Sequence, residues 1–98
     1  MSILTSKIRK LQRALEMHGE VYLISRAQIY SEKLDKVCTK FVLDKIMTWE
    51  EYQALNPETK RKPRKTVREN VIESFKEIDV LLALAEAYKR LEGVMNDG

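Results

Sequence analysis

Leu4, Ile8, Leu11 and Leu15 recur at steps of four, three and four, which lines them along one face of an α-helix. Ile3 and Ala14 widen that stripe, while Lys7, Lys10 and Arg13 fall largely off it. His18-Gly19 closes the pattern, a polar residue in the last turn followed by a glycine able to take positive φ. A helix over residues 3–18 is predicted. After Gly19 the texture changes. Val21, Tyr22, Leu23 and Ile24 form an apolar, β-branched and aromatic cluster that continues to Ile29 and Tyr30, and this predicts a strand over 21–30. A second strand is predicted over 37–46, with Val37, Thr39, Phe41 and Leu43 on one face. The connection from Ser31 to Lys36 holds neither glycine nor asparagine, so the hairpin signal is weak. A helical reading competes, because Ala27, Tyr30, Leu34, Val37 and Phe41 also stand at three and four spacing. The β-branched content favours strands.

Thr48-Trp49-Glu50-Glu51 has the form of a capping box, in which Thr48 and Glu51 each satisfy the other's amide. It predicts a short helix through Leu55, ended by Asn56-Pro57. Residues 56–66 follow as a loop expected to be flexible, since nothing between Pro57 and Pro63 is apolar enough to offset its ordering entropy. A third strand is predicted over 67–73. Ser74 and Glu77 read as a second capping box ahead of a helix, with Ile78, Leu81, Leu82, Ala85, Tyr88 and Leu91 on its buried face. Gly93 is expected to stop that helix and residues 94–98 to fray. Two helices with one apolar face each, and two to three strands between them, are all buried by one arrangement. It is an α+β domain, a small antiparallel sheet with the N-terminal and C-terminal helices packed on one face. An all-α fold is the alternative.

Length and composition agree with one folded domain: 98 residues, 44% of them apolar and 34% charged. No apolar run approaches the ~18 to 20 residues of a membrane span. The N-terminal stretch also lacks the apolar core of a signal peptide. The single cysteine, Cys38, cannot form an internal disulfide and reads as a small buried hydrophobe, so a reducing, cytoplasmic setting is expected.

Charge alters the picture most. Lys60, Arg61, Lys62, Arg64, Lys65 and Arg68 fall within one stretch that contains no acidic residue. The whole chain carries only +3, so the rest of it is net negative. A local cationic patch of this kind attracts phosphates or an acidic protein surface. Lys7, Lys10 and Arg13 offer a second cationic surface on the first helix. No aromatic residue is interleaved with the basic run, so sequence-independent phosphate contact is what the sequence supports.

No enzymatic constellation accompanies the patch. His18, the only histidine, has no nucleophile or carboxylate near it in sequence, and a place at a helix C-terminus suits it better. Cys38 lacks a neighbouring ligand, and three glycines, at 19, 93 and 98, make no phosphate-cradling loop. Glu50, Glu51, Glu69 and Glu73 are ordinary surface carboxylates by composition. Neither a metal, a cofactor nor catalysis is expected. Trp49 and Tyr52 are the aromatic residues best placed to anchor a partner. The run Val80-Leu81-Leu82-Ala83-Leu84-Ala85 is apolar around most of a helix and needs cover on more than one side. A homodimer is therefore expected, with Val80, Leu84 and Ala87 at its interface.

Several pieces in order carry a resemblance: Lys7-Ile8-Arg9-Lys10-Leu11-Gln12-Arg13-Ala14-Leu15, His18-Gly19, Tyr30-Ser31-Glu32-Lys33, Val37-Cys38-Thr39-Lys40-Phe41, and Phe75-Lys76-Glu77-Ile78-Asp79-Val80-Leu81. Together they resemble small accessory proteins of phages, prophages and mobile elements of low-GC Gram-positive bacteria. The resemblance implies a binding role without supplying functional residues. It also admits a protein inhibitor or adaptor of a host enzyme, such as a defence nuclease whose acidic site a cationic protein could occupy.

Overall fold

The computed structural model describes residues 3–97, with 94–97 described as backbone alone. The elements are α1 (Ile3–Met17), β1 (Tyr22–Ser31), β2 (Lys36–Ile46), α2 (Trp49–Leu55), β3 (Arg68–Ser74) and α3 (Glu77–Asp97). The strands form one antiparallel sheet in the order β1-β2-β3. The fold is α+β, with helices at both ends of the chain and a short one between β2 and β3. No helix among the described residues is long and apolar enough to cross a membrane.

Local chemistry explains where α1 stops. The Glu20 amide donates to the Leu15 carbonyl at 3.0 Å and the Gly19 amide to the Glu16 carbonyl at 2.9 Å, with Gly19 at φ 86°. This is a Schellman closure, and it needs a residue that tolerates positive φ. The chain then enters β1 directly beneath the helix, where Gln12 Nε2 donates to the Tyr22 carbonyl at 3.0 Å. The hairpin from β1 to β2 turns without glycine or asparagine because Asp35 takes the left-handed conformation at φ 50°. Aspartate tolerates this region better than most residues. Its carboxylate also accepts from the Tyr30 hydroxyl, and the Leu34 amide donates to Ser31 Oγ at 3.3 Å.

In β2, alternation sends Leu43 and Phe41 toward the helices, opposite Ile24 and Arg26 of β1. Arg26 lies over the Phe41 ring at 5.6 Å and reaches Glu77 at 3.8 Å. A register shift between Leu43 and Asp44 leaves Val71 of β3 unpaired, and Asn70 Nδ2 donates to Asp44 Oδ1 at 3.0 Å beside this bulge. Because β3 pairs only with Phe41 to Ile46, the β1–β2 ribbon from Ala27 to Lys40 runs on past it. Tyr30, Leu34 and Val37 are exposed on this arm, and Cys38, expected to be buried, is only half-buried there. A two-stranded ribbon has no second layer to hide it. The arm contributes to the elongated extents of 48 × 33 × 21 Å.

α1 and α3 lie side by side and run in the same direction. Thr5 Oγ1 near the start of α1 donates to Glu77 Oε1 at 3.1 Å, and at the far end the His18 and Tyr88 rings stand 6.3 Å apart. Ile8 and Leu15 of α1, Val80, Leu84 and Ala87 of α3, and Tyr22 and Leu43 of the sheet make the buried core. Val80, Leu84 and Ala87, expected at an oligomer interface, are thus inside the domain. The expected buried row is shifted too, because Ile78, Leu82 and Ala85 face solvent. The turn into α3 accounts for this. Ser74 does not cap with Glu77 as a capping box requires. It accepts from the Lys76 amide at 3.0 Å and donates to Asp79 Oδ2, while Glu77 turns to Thr5 and Arg26. Those bonds set the rotation of the helix and aim Val80 and Leu84 at Leu43. Nor does Gly93 stop α3, which passes through it to Asp97. Of residues 94–98, expected to fray, the backbone of 94–97 continues α3, and Gly98 lies outside the described residues.

Tyr22 supplies one prediction about pH. Burial first, and then donation to Glu20 Oε1 at 2.8 Å, push its phenol up to about 12 from 10.0. Between these values the folded state holds a proton that the unfolded state has lost. Its contribution is therefore complete below pH 10 and is lost as pH rises toward 12. Urea titrations across that window should show stability falling by about 1–2 kcal/mol from this group, allowing for solvent screening. Tyr22→Phe should flatten that slope.

Candidate nucleic-acid interface

The basic run belongs to a closed excursion of the chain. It leaves the sheet at the end of β2 and returns where the Met47 amide donates to the Val67 carbonyl at 2.9 Å. α2 forms the first half of the excursion. Thr48 caps it by accepting from the Glu51 amide at 3.2 Å. The Glu51 carboxylate does not complete a capping box. It accepts from the Thr48 hydroxyl at 3.2 Å and from Lys45 Nζ at 3.3 Å, tying the start of α2 to β2. At the other end the Asn56 amide and its Nδ2 both donate to the Tyr52 carbonyl, at 2.9 and 3.1 Å.

From Asn56 to Val67 the chain has no helix or strand. Lys60, Arg61, Lys62, Arg64 and Lys65 are all exposed on this segment, and Arg68 begins β3 opposite Ile46. Some cations elsewhere are paired: Arg26 meets Glu77 at 3.8 Å, Lys40 meets Glu73 at 2.7 Å and Lys45 meets Glu51 at 3.3 Å. Among the described residues no ion pair involves any of the six cations of the basic run.

Closure of the excursion brings the basic run against the aromatic residues of α2. Trp49 and Tyr52 are three residues apart, hence on one helix face, and their rings stack at 6.0 Å with planes 24° apart. Both are half-buried. A cleft of about 300 Å³ opens beside them, and Lys62, Pro63, Arg64, Thr66 and Val67 share its lining with the two rings. Two sets of residues proposed separately from the sequence thus share one cleft. The basic run itself holds no aromatic residue, and the fold brings Trp49 and Tyr52 to it from another element. No local signal marks this juxtaposition, because it depends on the Met47–Val67 hydrogen bond that closes the excursion.

The α1 cations do not join them. Lys7, Lys10 and Arg13 are exposed on a helix packed over β1, while the basic run enters β3, with β2 between. No group of three or more His, Cys, Asp or Glu among the described residues is placed to hold a metal ion. His18 is exposed at the end of α1 with Tyr88 as its ring neighbour. The cleft thus gathers two cationic side chains and two stacked aromatic rings in one lining. No known protein family, curated protein or solved structure matches the chain.

Proposed function

We propose that this chain is a non-enzymatic binding protein that engages nucleic acid through Lys60–Arg68. The observation that carries the reading is the set of exposed cations without an ion pair among the described residues, gathered beside a stacked tryptophan and tyrosine. Charges on such a segment release counterions when they meet phosphates, which favours binding and makes it salt-sensitive. The half-buried, unpaired Cys38 suits a reducing, cytoplasmic location for this activity. A mobility-shift assay with single-stranded and duplex DNA and RNA at ~50 mM salt tests it. Retarded bands that fade as salt rises are expected, and no band with any nucleic acid removes the reading.

A second reading rests on the open face of α3, where Ile78, Leu82 and Ala85 form an exposed apolar row that Phe75 extends. The occupant we propose is a second copy of the chain, the same apolar row on each partner making a self-complementary two-fold contact. Light scattering should then give twice the 11.5 kDa chain mass at micromolar concentration, and Leu82→Glu should restore the monomer mass. Monomer mass for the unmodified chain would rule the pairing out.

A further inference from the structure

We infer that the cleft beside Trp49 and Tyr52 takes an unpaired nucleobase, so that the ligand class of the basic segment is single-stranded nucleic acid. This rests on the nucleic-acid reading above and narrows it. The cleft lies at the lower end of the about 300 to 1,000 Å³ usual for small-ligand sites, room for one planar ring and its sugar. Its lining brings the stacked Trp49 and Tyr52 together with Lys62, Pro63 and Arg64. A base held against the rings shares the cleft with two cations available to its phosphates. Arg61, Lys65 and Lys60 continue the cationic track along the same segment.

A duplex cannot use this arrangement, because its bases already stack on one another and present only their edges. Single strands can, since splayed bases stack on aromatic side chains in a manner that tolerates any sequence. The rings are also held ready. The Thr48 cap and the Lys45–Glu51 pair fix the start of α2, so the platform needs little ordering when a base arrives. Arginine and lysine alone would bind either form of nucleic acid. Juxtaposition with two ordered rings is what favours the single strand.

Trp49 is the only tryptophan of the chain, so its emission reports on the cleft without labelling. The experiment titrates the intact protein with oligothymidylate, oligouridylate, a duplex of equal length and polyglutamate at ~50 mM salt. Either single strand should quench Trp49, the two strands together distinguishing DNA from RNA as the source. The duplex should bind more weakly and leave the emission unchanged. Tyr52→Ala should weaken single-strand affinity by about 5- to 150-fold, the range that one base–aromatic stack supplies, and leave duplex affinity as it was. Trp49→Phe, which keeps a ring, should retain most of the single-strand affinity by anisotropy, and thermal melts confirm that both variants fold. Binding of single strand and duplex with equal affinity, unchanged emission and no effect of Tyr52→Ala overturns the base site while leaving phosphate contact standing. Failure of every nucleic acid to bind overturns both. Polyglutamate that quenches Trp49 and displaces the oligonucleotides reassigns the cleft to an acidic protein surface.

Discussion

Leu84→Ala should destabilise the domain by about 2–5 kcal/mol, whereas Leu82→Ala, two residues away on the same helix, should change monomer stability by no more than about 0.5 kcal/mol. Leu84 is 0% exposed and Leu82 is 56% exposed. Leu84 lies in a core shared with Leu15 of α1 and Leu43 of β2, so truncation removes buried surface and leaves a cavity that two helices and a sheet must close around. Single domains are stable by only about 5–15 kcal/mol, so the loss is a large share of the total. Chemical denaturation of both variants, followed by circular dichroism at low protein concentration to keep any dimer dissociated, makes the comparison. Equal losses at the two positions would mean that the rotation of α3 given by the Ser74–Lys76 and Ser74–Asp79 bonds is wrong.

The same pair of leucines shows why periodicity alone misplaced this face. From Val80 to Ala85 every residue is apolar, so the run has no polar position to mark its outer side. A hydrophobic pattern has a phase only where polar residues interrupt it. In α1 Lys7, Lys10 and Arg13 interrupt the pattern, and there Ile8 and Leu15 are buried as the spacing implies. In α3 the phase comes from the turn that precedes it, through a serine whose partners are Lys76 and Asp79 rather than the capping glutamate. The helix is then apolar on two faces, only one of which this chain covers.

The strands were legible for a related reason. β-branched and aromatic residues in alternation identify β1 and β2, and both observed strands lie within a residue of the predicted bounds. Their turn was not legible, since the residue at positive φ is Asp35, a tolerated substitute for the glycine or asparagine that usually signals it. The bulge at Val71 left no mark either, being a consequence of pairing with β2 rather than of local preference. At the candidate site the charge was legible and the cleft was not. Trp49 and Arg64 line one cleft in an excursion closed by the Met47–Val67 hydrogen bond, a long-range contact that composition does not encode.

Neutralising Arg61, Lys62, Arg64 and Lys65 together as glutamines should lower oligonucleotide affinity by roughly 10²- to 10³-fold at ~50 mM salt and reduce the salt slope by about 3. Each phosphate contact on a single strand contributes about 0.7 to that slope, so the two measurements test the same count of contacts. Between ~50 and ~200 mM salt an intact set of six cations should lose roughly 300-fold in affinity, and the two that remain only about sevenfold. The control is the equivalent change at Lys7, Lys10 and Arg13. These carry comparable charge but stand on α1, across β2 from the basic run, so their removal should alter the slope by well under one unit. Equal effects from the two sets would show that net charge rather than the segment governs binding. The substitutions themselves should be silent in stability, because all four side chains are exposed and no ion pair among the described residues involves them. Loss of binding with an unchanged melting temperature therefore separates a contact surface from a damaged fold, and it locates that surface on the segment that faces Trp49.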